Sequence, residues 1–180
     1  MTHRLFFALR PPRELRETLI DRMHGIANAR WQDDNQLHLT LRYIGEVDRH
    51  EAECLAQRAG DIDFSPFSLQ IAGVGTFETK QVPRSVWAGV KDSDDLSRLQ
   101  TKLERLCATH QLGPPRRKFR PHVTLARLNL SAGPLADFLA ENATLSLGPW
   151  HVDHYTLYES HLRAEGSIYE PIARYPARKC

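Results

Sequence analysis

A four-residue pattern occurs twice in this chain and constrains its fold more than any other feature. Segment 38–41 reads His-Leu-Thr-Leu, and segment 122–125 reads His-Val-Thr-Leu. Both copies alternate polar and apolar residues, which is the period of a β-strand with one buried face. The histidine and threonine of each copy should therefore point to the same side, while the apolar residues point into a core.

The flanks of the two copies are also alike, which predicts an internally duplicated fold. An apolar strand at 4–10 precedes a helical pattern at 12–26 and the motif strand at 37–43. In the second half, a strand at 85–90 precedes a helix that begins near Ser93, a good N-cap, and then the second motif. Helices are also predicted at 48–59 and 134–141, and strands at 67–74, 151–158 and 168–175.

We therefore predict an α+β fold with two pseudo-twofold-related lobes around a central cleft. Each lobe should be an antiparallel sheet with helices outside it. Residues 1–180 should form a single domain of two intertwined lobes, with repeat units at about 4–46 and 85–128. This symmetry would bring both motif strands to one cleft.

Composition limits the possible classes of protein. The chain is 41% apolar and 26% charged, as in ordinary globular proteins, and its net charge of +2 alone does not indicate nucleic-acid binding. Cys54, Cys107 and Cys180 are widely spaced and fit neither a disulfide framework nor a CxxC metal site. The longest N-terminal apolar run, at 5–9, is too short for a signal peptide. We therefore expect a cytoplasmic protein that does not bind membranes.

Two imidazoles with neighbouring hydroxyls suit acid–base chemistry at a phosphate. Histidine titrates near neutral pH, so one ring can accept a proton while the other donates one. The hydroxyls of Thr40 and Thr124 can donate hydrogen bonds to phosphoryl oxygens, which stabilises charge in the transition state. An activated phosphodiester needs no metal for this reaction, and we expect neither a metal nor a cofactor.

Beyond the paired motif, the chain resembles a known family over most of its length. It is similar to the two-histidine (2H) phosphoesterases, and specifically to the bacterial RNA 2′,3′-cyclic phosphodiesterases, historically called 2′-5′ RNA ligases. The resemblance is carried by segments 4–8, 37–46, 75–77, 86–90, 121–127 and 155–160.

The resemblance implies an enzyme that hydrolyses the 2′,3′-cyclic phosphate of RNA ends or nucleotides to a 2′-phosphate. It also implies a reversible, ATP-independent 2′-5′ joining of RNA. His38 and His122 would be catalytic, and we favour His38 as the acid and His122 as the base. Thr40, Thr124 and Arg127 would bind the phosphate, and the protein is expected to act as a monomer.

Three further features lead to hypotheses about RNA contacts. Phe7 is predicted to line the pocket and stack on a base. The basic run 116–120 is predicted to contact RNA phosphates, and Arg42 to share the face of His38 and Thr40. Two other functions also stay open, namely a 2′,5′-oligonucleotide phosphodiesterase and a non-catalytic RNA-binding module.

Overall fold

The computed structural model describes residues 1–178 and has an α+β fold with one large antiparallel sheet and four helices. The strands are β1 (Thr2–Leu9), β2 (Arg30–Trp31), β3 (Leu39–Asp48), β4 (Phe67–Thr79), β5 (Val82–Val90), β6 (His122–Arg127), β7 (Ser146–Val152), β8 (His154–Arg163) and β9 (Gly166–Pro176). The helices are α1 (Arg13–Asp21), α2 (Arg49–Ala59), α3 (Asp94–Thr109) and α4 (Ala136–Glu141). These elements confirm the predicted fold class.

The two motif strands lie at the centre of the sheet. The strand order is β7-β4-β5-β6-β3-β1-β8-β9, with β2 paired to β6. β3 and β6 are joined by a single antiparallel pair, Leu39 with Val123. We call the β3–β6 junction the seam of the sheet. On one side of it, β1 from the first half of the sequence pairs with β8 from the second half. On the other side, the earlier strand β4 pairs with β5, which precedes β6. The division into repeat units at 4–46 and 85–128 stays a prediction.

Two helices begin where the sequence places an N-cap. The Ser93 hydroxyl accepts a hydrogen bond from the Leu96 amide at 3.3 Å, and the Asp48 carboxylate accepts one from the Glu51 amide at 2.9 Å. α3 then buries one apolar stripe against the sheet, formed by Leu96, Leu99, Leu103 and Cys107. The helix-spaced leucines of the sequence therefore serve to cover the sheet.

Two elements differ from the prediction. α1 ends at Asp21, with Arg22 as its C-cap, and cannot continue to residue 26 because Gly25 adopts a positive φ angle that a helix does not contain. The single strand predicted at 151–158 is a pair of strands, and β7 begins earlier, at Ser146. β7 contains Pro149, which weakens the strand signal and is tolerated because β7 is an edge strand.

β3 contains bulges at Ile44 and Leu41, and the one at Leu41 decides which side chains face the cleft. β1 pairs Phe6 with Tyr43 and Phe7 with Arg42, but Ala8 pairs with Thr40, so Leu41 has no partner in the register. An extra residue in one strand reverses the alternation of sides beyond it. Tyr43, and not Arg42, therefore shares the face of Thr40. The expectation that Arg42 lies on that face is wrong.

Arg42 instead lies buried between β3 and α3, where it is 8% exposed. Its Nε lies 3.0 Å from Oε2 of Glu104. Its guanidinium also donates to the carbonyl oxygens of Tyr43, at 2.8 Å, and of Gly113. The bond to Gly113 connects the loop that follows α3 to the central strand β3.

Among residues 1–178, no helix has both the length and the apolar character that crossing a bilayer requires.

Removing one partner of the Arg42–Glu104 pair should destabilise the protein more than removing both. Arg42→Met leaves the Glu104 carboxylate without its counter-charge and should cost about 2–4 kcal/mol of unfolding free energy. Arg42→Met/Glu104→Leu should recover part of this loss in urea unfolding, because no uncompensated charge remains. Arg49→Met, which breaks an exposed pair with Glu53, should leave stability unchanged. Equal losses in the single and double variants would contradict this account.

Candidate active site

The two motifs face each other across the seam of the sheet. Because Leu39 pairs with Val123 in antiparallel register, His38 lies across from Thr124 and Thr40 across from His122. All four side chains line one cleft of about 830 Å³. A single backbone pair therefore assembles two imidazoles and two hydroxyls at one place.

Each motif imidazole is held in the same way by a backbone carbonyl. His38 Nδ1 donates to the Gln36 oxygen at 2.7 Å, and His122 Nδ1 donates to the Arg120 oxygen at 2.6 Å. A carbonyl can only accept, so Nδ1 carries the hydrogen and Nε2 of the neutral ring keeps its lone pair. In His38, that Nε2 lies 3.0 Å from the Thr40 hydroxyl. Both rings therefore have one nitrogen that can exchange a proton.

Aromatic side chains fix the planes of the two imidazoles. His38 packs against Phe6 and Tyr169, with centroid distances of 5.0 Å to each ring. His122 packs edge-on against Phe77 at 4.8 Å and lies 6.0 Å from Trp87. These contacts limit the rotation of the rings and exclude water from one side of each.

Gly75 is required for the aromatic packing around His122. A Cβ atom at position 75 would lie 2.4 Å from the Trp87 ring, which is closer than carbon atoms approach in proteins. Gly75 and Trp87 are direct partners across β4 and β5. The glycine thus lets the indole lie flat on the sheet beside the second motif.

The surroundings keep both histidines neutral in the free protein. Desolvation, followed by the positive charges of Arg127 and of a protonated His122, lowers the pKa of His38 to about 4, although the hydrogen bond to the Gln36 carbonyl acts in the opposite direction. Desolvation also lowers the pKa of His122, and Arg127 and Arg120 act in the same direction. At neutral pH both rings can therefore accept a proton. An anion bound between them would favour the protonated form.

Positive charge surrounds the cleft. Its lining includes Arg4, Arg117, Lys118, Arg120 and Arg127, and its one acidic residue is Asp92. Of these cations, Arg4 is paired with a carboxylate outside the cleft, and the Arg120 guanidinium lies 5.6 Å from the centre of the Trp87 ring. This arrangement suits an anionic ligand with an aromatic base.

Five of the six residues predicted for the site lie in its lining, namely His38, Thr40, His122, Thr124 and Arg127. Phe7 does not line the cleft, so the prediction that it stacks on a base is wrong. Its side chain is fully buried and packs against Tyr155 and Tyr175 at centroid distances of 5.9 and 6.5 Å. Phe6, the neighbouring residue on the opposite face of β1, lines the cleft in its place.

Other lining residues were missed by sequence reasoning. Phe77 belongs to the 75–77 segment that carried the family resemblance, so that segment was the available signal for it. Tyr43 was not predicted because simple alternation places it on the face opposite Thr40, and only the bulge at Leu41 brings it to the same face. Tyr169 and Ser167 come from β9, far away in sequence, and no pattern connects them with the motifs.

One group of possible metal ligands lies apart from the cleft. Among residues 1–178, the ligand atoms of Glu159, His161 and Glu170 lie within 4.8 Å of one another. His161 already contacts Glu170 at 3.0 Å, and Glu159 contacts His3 at 2.8 Å. None of these residues lines the cleft.

Comparisons with known proteins identify the family of the chain. Residues 11–164 match the model of the 2′-5′ RNA ligase superfamily. The chain is 34% identical over 145 residues to an RNA 2′,3′-cyclic phosphodiesterase of Aeropyrum pernix, covering 78% of this chain and 81% of that protein. It is 30% identical over 176 residues to the protein of the same name from Escherichia coli, covering 96% and 95%.

The fold also matches a solved structure over its whole length. The crystal structure of E. coli LigT complexed with 3′-AMP aligns with a TM-score of 0.80 and 26% identity, covering 99% of this chain and 100% of that one. Since archaeal as well as bacterial proteins are among the relatives, the similarity extends beyond the bacterial proteins named from the sequence. The chain belongs to the 2′-5′ RNA ligase superfamily.

Proposed function

We propose that this protein hydrolyses the 2′,3′-cyclic phosphate at RNA 3′ ends and leaves a 2′-phosphate. The observation that carries the proposal is the opposition of the two motifs, with His38 across from Thr124 and Thr40 across from His122 in one cationic cleft. Relatives that cover most of the chain are named RNA 2′,3′-cyclic phosphodiesterases, which supports the same substrate.

The proposed reaction needs two proton transfers at a phosphate that is held in place. Thr40, Thr124 and Arg127 bind the phosphoryl oxygens. Nε2 of His122 takes a proton from water as its oxygen attacks phosphorus, the P–O3′ bond breaks, and Nε2–H of His38 gives its proton to O3′. His38 acquires that proton when the anionic phosphate binds, because the bound charge opposes the effects that lower its pKa in the free protein.

The same chemistry extends to joining two RNAs. A 5′-hydroxyl in the position of the water would attack phosphorus and form a 2′-5′ bond, and the reverse reaction would restore the cyclic phosphate. The bond that breaks in the ring provides the energy for ligation, so we propose that ATP is not required.

We also propose that the protein works as a cytoplasmic monomer. One chain supplies both motifs and all of the cleft-lining residues. Within residues 1–178, Cys54 and Cys107 are free thiols, as expected in a reducing compartment. Cys180 lies outside the described residues. Sedimentation at micromolar concentration tests the monomer.

The first test is hydrolysis of a short RNA that ends in a 2′,3′-cyclic phosphate, with EDTA present and ATP absent. The product should carry a 2′-phosphate, identified by mass and by resistance to a 3′-specific phosphatase. His38→Ala and His122→Ala should each lower kcat by about 10²–10⁴-fold, because each removes one proton transfer. His24→Ala, in an exposed loop, should retain full activity.

Different results would favour the other functions. Binding of this RNA without turnover would indicate a non-catalytic module. Cleavage confined to 2′,5′-linked oligonucleotides would indicate a 2′,5′-oligonucleotide phosphodiesterase.

A sulfur substitution can identify the acid. When sulfur replaces O3′ in the cyclic phosphate, the leaving group is a thiolate, which needs little protonation because a thiol has a pKa of about 8.5. His38→Ala should therefore regain most of its lost rate on this substrate, while His122→Ala should not. Rescue of His122→Ala instead would reverse the assignment.

The pH profile should depend on the charge of Arg127. That charge lowers the pKa of both histidines, and kcat/KM is lost as pH falls through the pKa of the base. Arg127→Gln removes the charge, so these pKa values rise and the acid limb moves to higher pH. Arg127→Lys keeps the charge and should leave the limb in place. An unmoved limb in Arg127→Gln would show that Arg127 does not influence the titration.

A further inference from the structure

One edge of the central strand β3 is left open beside the active site. β3 pairs with β1 along most of its length, but on its other edge only Leu39 has a strand partner among the described residues. The equivalent edge of β6 is covered, since Arg30 and Trp31 of β2 pair with Arg127 and Ala126. The seam is therefore asymmetric, although the two motifs are alike.

Two prolines explain the asymmetry. Arg30 and Trp31 stand eight and seven residues before His38, and the residues at the same distances before His122 are Pro114 and Pro115. Proline has no amide hydrogen, so it cannot donate to a β-ladder. The loop at 113–120 consequently passes alongside β3 without pairing with it.

The space between this loop and β3 is a groove of about 540 Å³ that opens into the active-site cleft. Thr40 and His122 line both the groove and the cleft. The Tyr43 ring stands where they join and is 47% exposed. At the far end, the buried Arg42 holds the loop through the Gly113 carbonyl. The groove is therefore continuous with the active-site cleft, and its far end is held in place by Arg42.

The groove carries uncompensated positive charge. Its two carboxylates are already paired, Glu46 with Arg4 at 2.6 Å and Glu104 with Arg42 at 3.0 Å. Three exposed cations of the loop form no ion pair with any residue of the described chain, namely Arg116, Arg117 and Lys118. A polyanionic ligand could contact these three cations along the groove.

We propose that the groove binds the RNA strand that precedes the terminal cyclic phosphate, so that the protein prefers RNA ends to cyclic mononucleotides. The proposal rests on the proposed function. The terminal ring is held between the motifs, and the phosphates upstream of it leave the cleft past Tyr43 and contact the loop cations. The Tyr43 ring offers a face for stacking a base at the exit.

The test compares kcat/KM for adenosine 2′,3′-cyclic phosphate and for a hexanucleotide ending in the same nucleotide, at several salt concentrations. The wild-type protein should prefer the hexanucleotide, and salt should reduce that preference. Arg116, which lines the groove and not the cleft, is the residue to change. Arg116→Glu should lower the ratio of the two kcat/KM values by about tenfold and reduce the salt slope by about one phosphate contact.

Arg105→Glu is the matched control, because Arg105 is an exposed arginine of α3 outside both the groove and the cleft. It should leave the ratio unchanged. The groove proposal is overturned if the wild type hydrolyses both substrates equally well, or if Arg116→Glu keeps the wild-type ratio. If the wild type hydrolyses neither substrate, the proposed function itself fails.

Discussion

The rest of the site depends on one backbone pair, Leu39 with Val123. It is the only strand pairing that joins β3 to β6 within residues 1–178. Because the pairing is antiparallel and each motif alternates with period two, this contact puts the histidine of one copy across from the threonine of the other. The apolar partners are buried beneath, with Leu39 and Val123 fully inaccessible. The hydrophobic effect thus fixes the register, and the register fixes the proposed catalytic geometry.

Local irregularities in and beside the strands then make the surroundings of the two motifs different. The bulges in β3 turn Tyr43 towards the cleft and direct Arg42 into the protein, where it pairs with Glu104. Gly75 admits the Trp87 ring beside His122. Pro114 and Pro115 keep one edge of β3 open, whereas β2 closes the matching edge of β6. Two strands that carry similar motifs therefore border different surroundings, with β6 covered by β2 and β3 open to a cationic loop.

The sequence was sufficient for the parts of the site that follow from local alternation. The two motifs predicted the central strands, and leucines at helical spacing predicted α3. Alternation failed at the bulges, because a backbone irregularity at Leu41 leaves no signature in side-chain polarity. This is why Arg42 was assigned to the face of Thr40. Phe7 was assigned to the cleft for a different reason, because two consecutive aromatic residues of one strand do not show which of them faces the cleft, and Phe6 is the one that does. Tyr169 could not be predicted, since its contact with His38 depends on the pairing of β9 with β8 and of β8 with β1.

The intertwining of the halves has a consequence during protein synthesis. β1 leaves the ribosome well before its outer neighbour β8, and Tyr169 follows still later. A nascent chain that already contains both histidines therefore lacks one wall of the His38 environment. Until β8 and β9 emerge, that edge of β1 is unpaired and available to other strands. Chains that end before β8 should accordingly lack this wall of the cleft and be prone to aggregate.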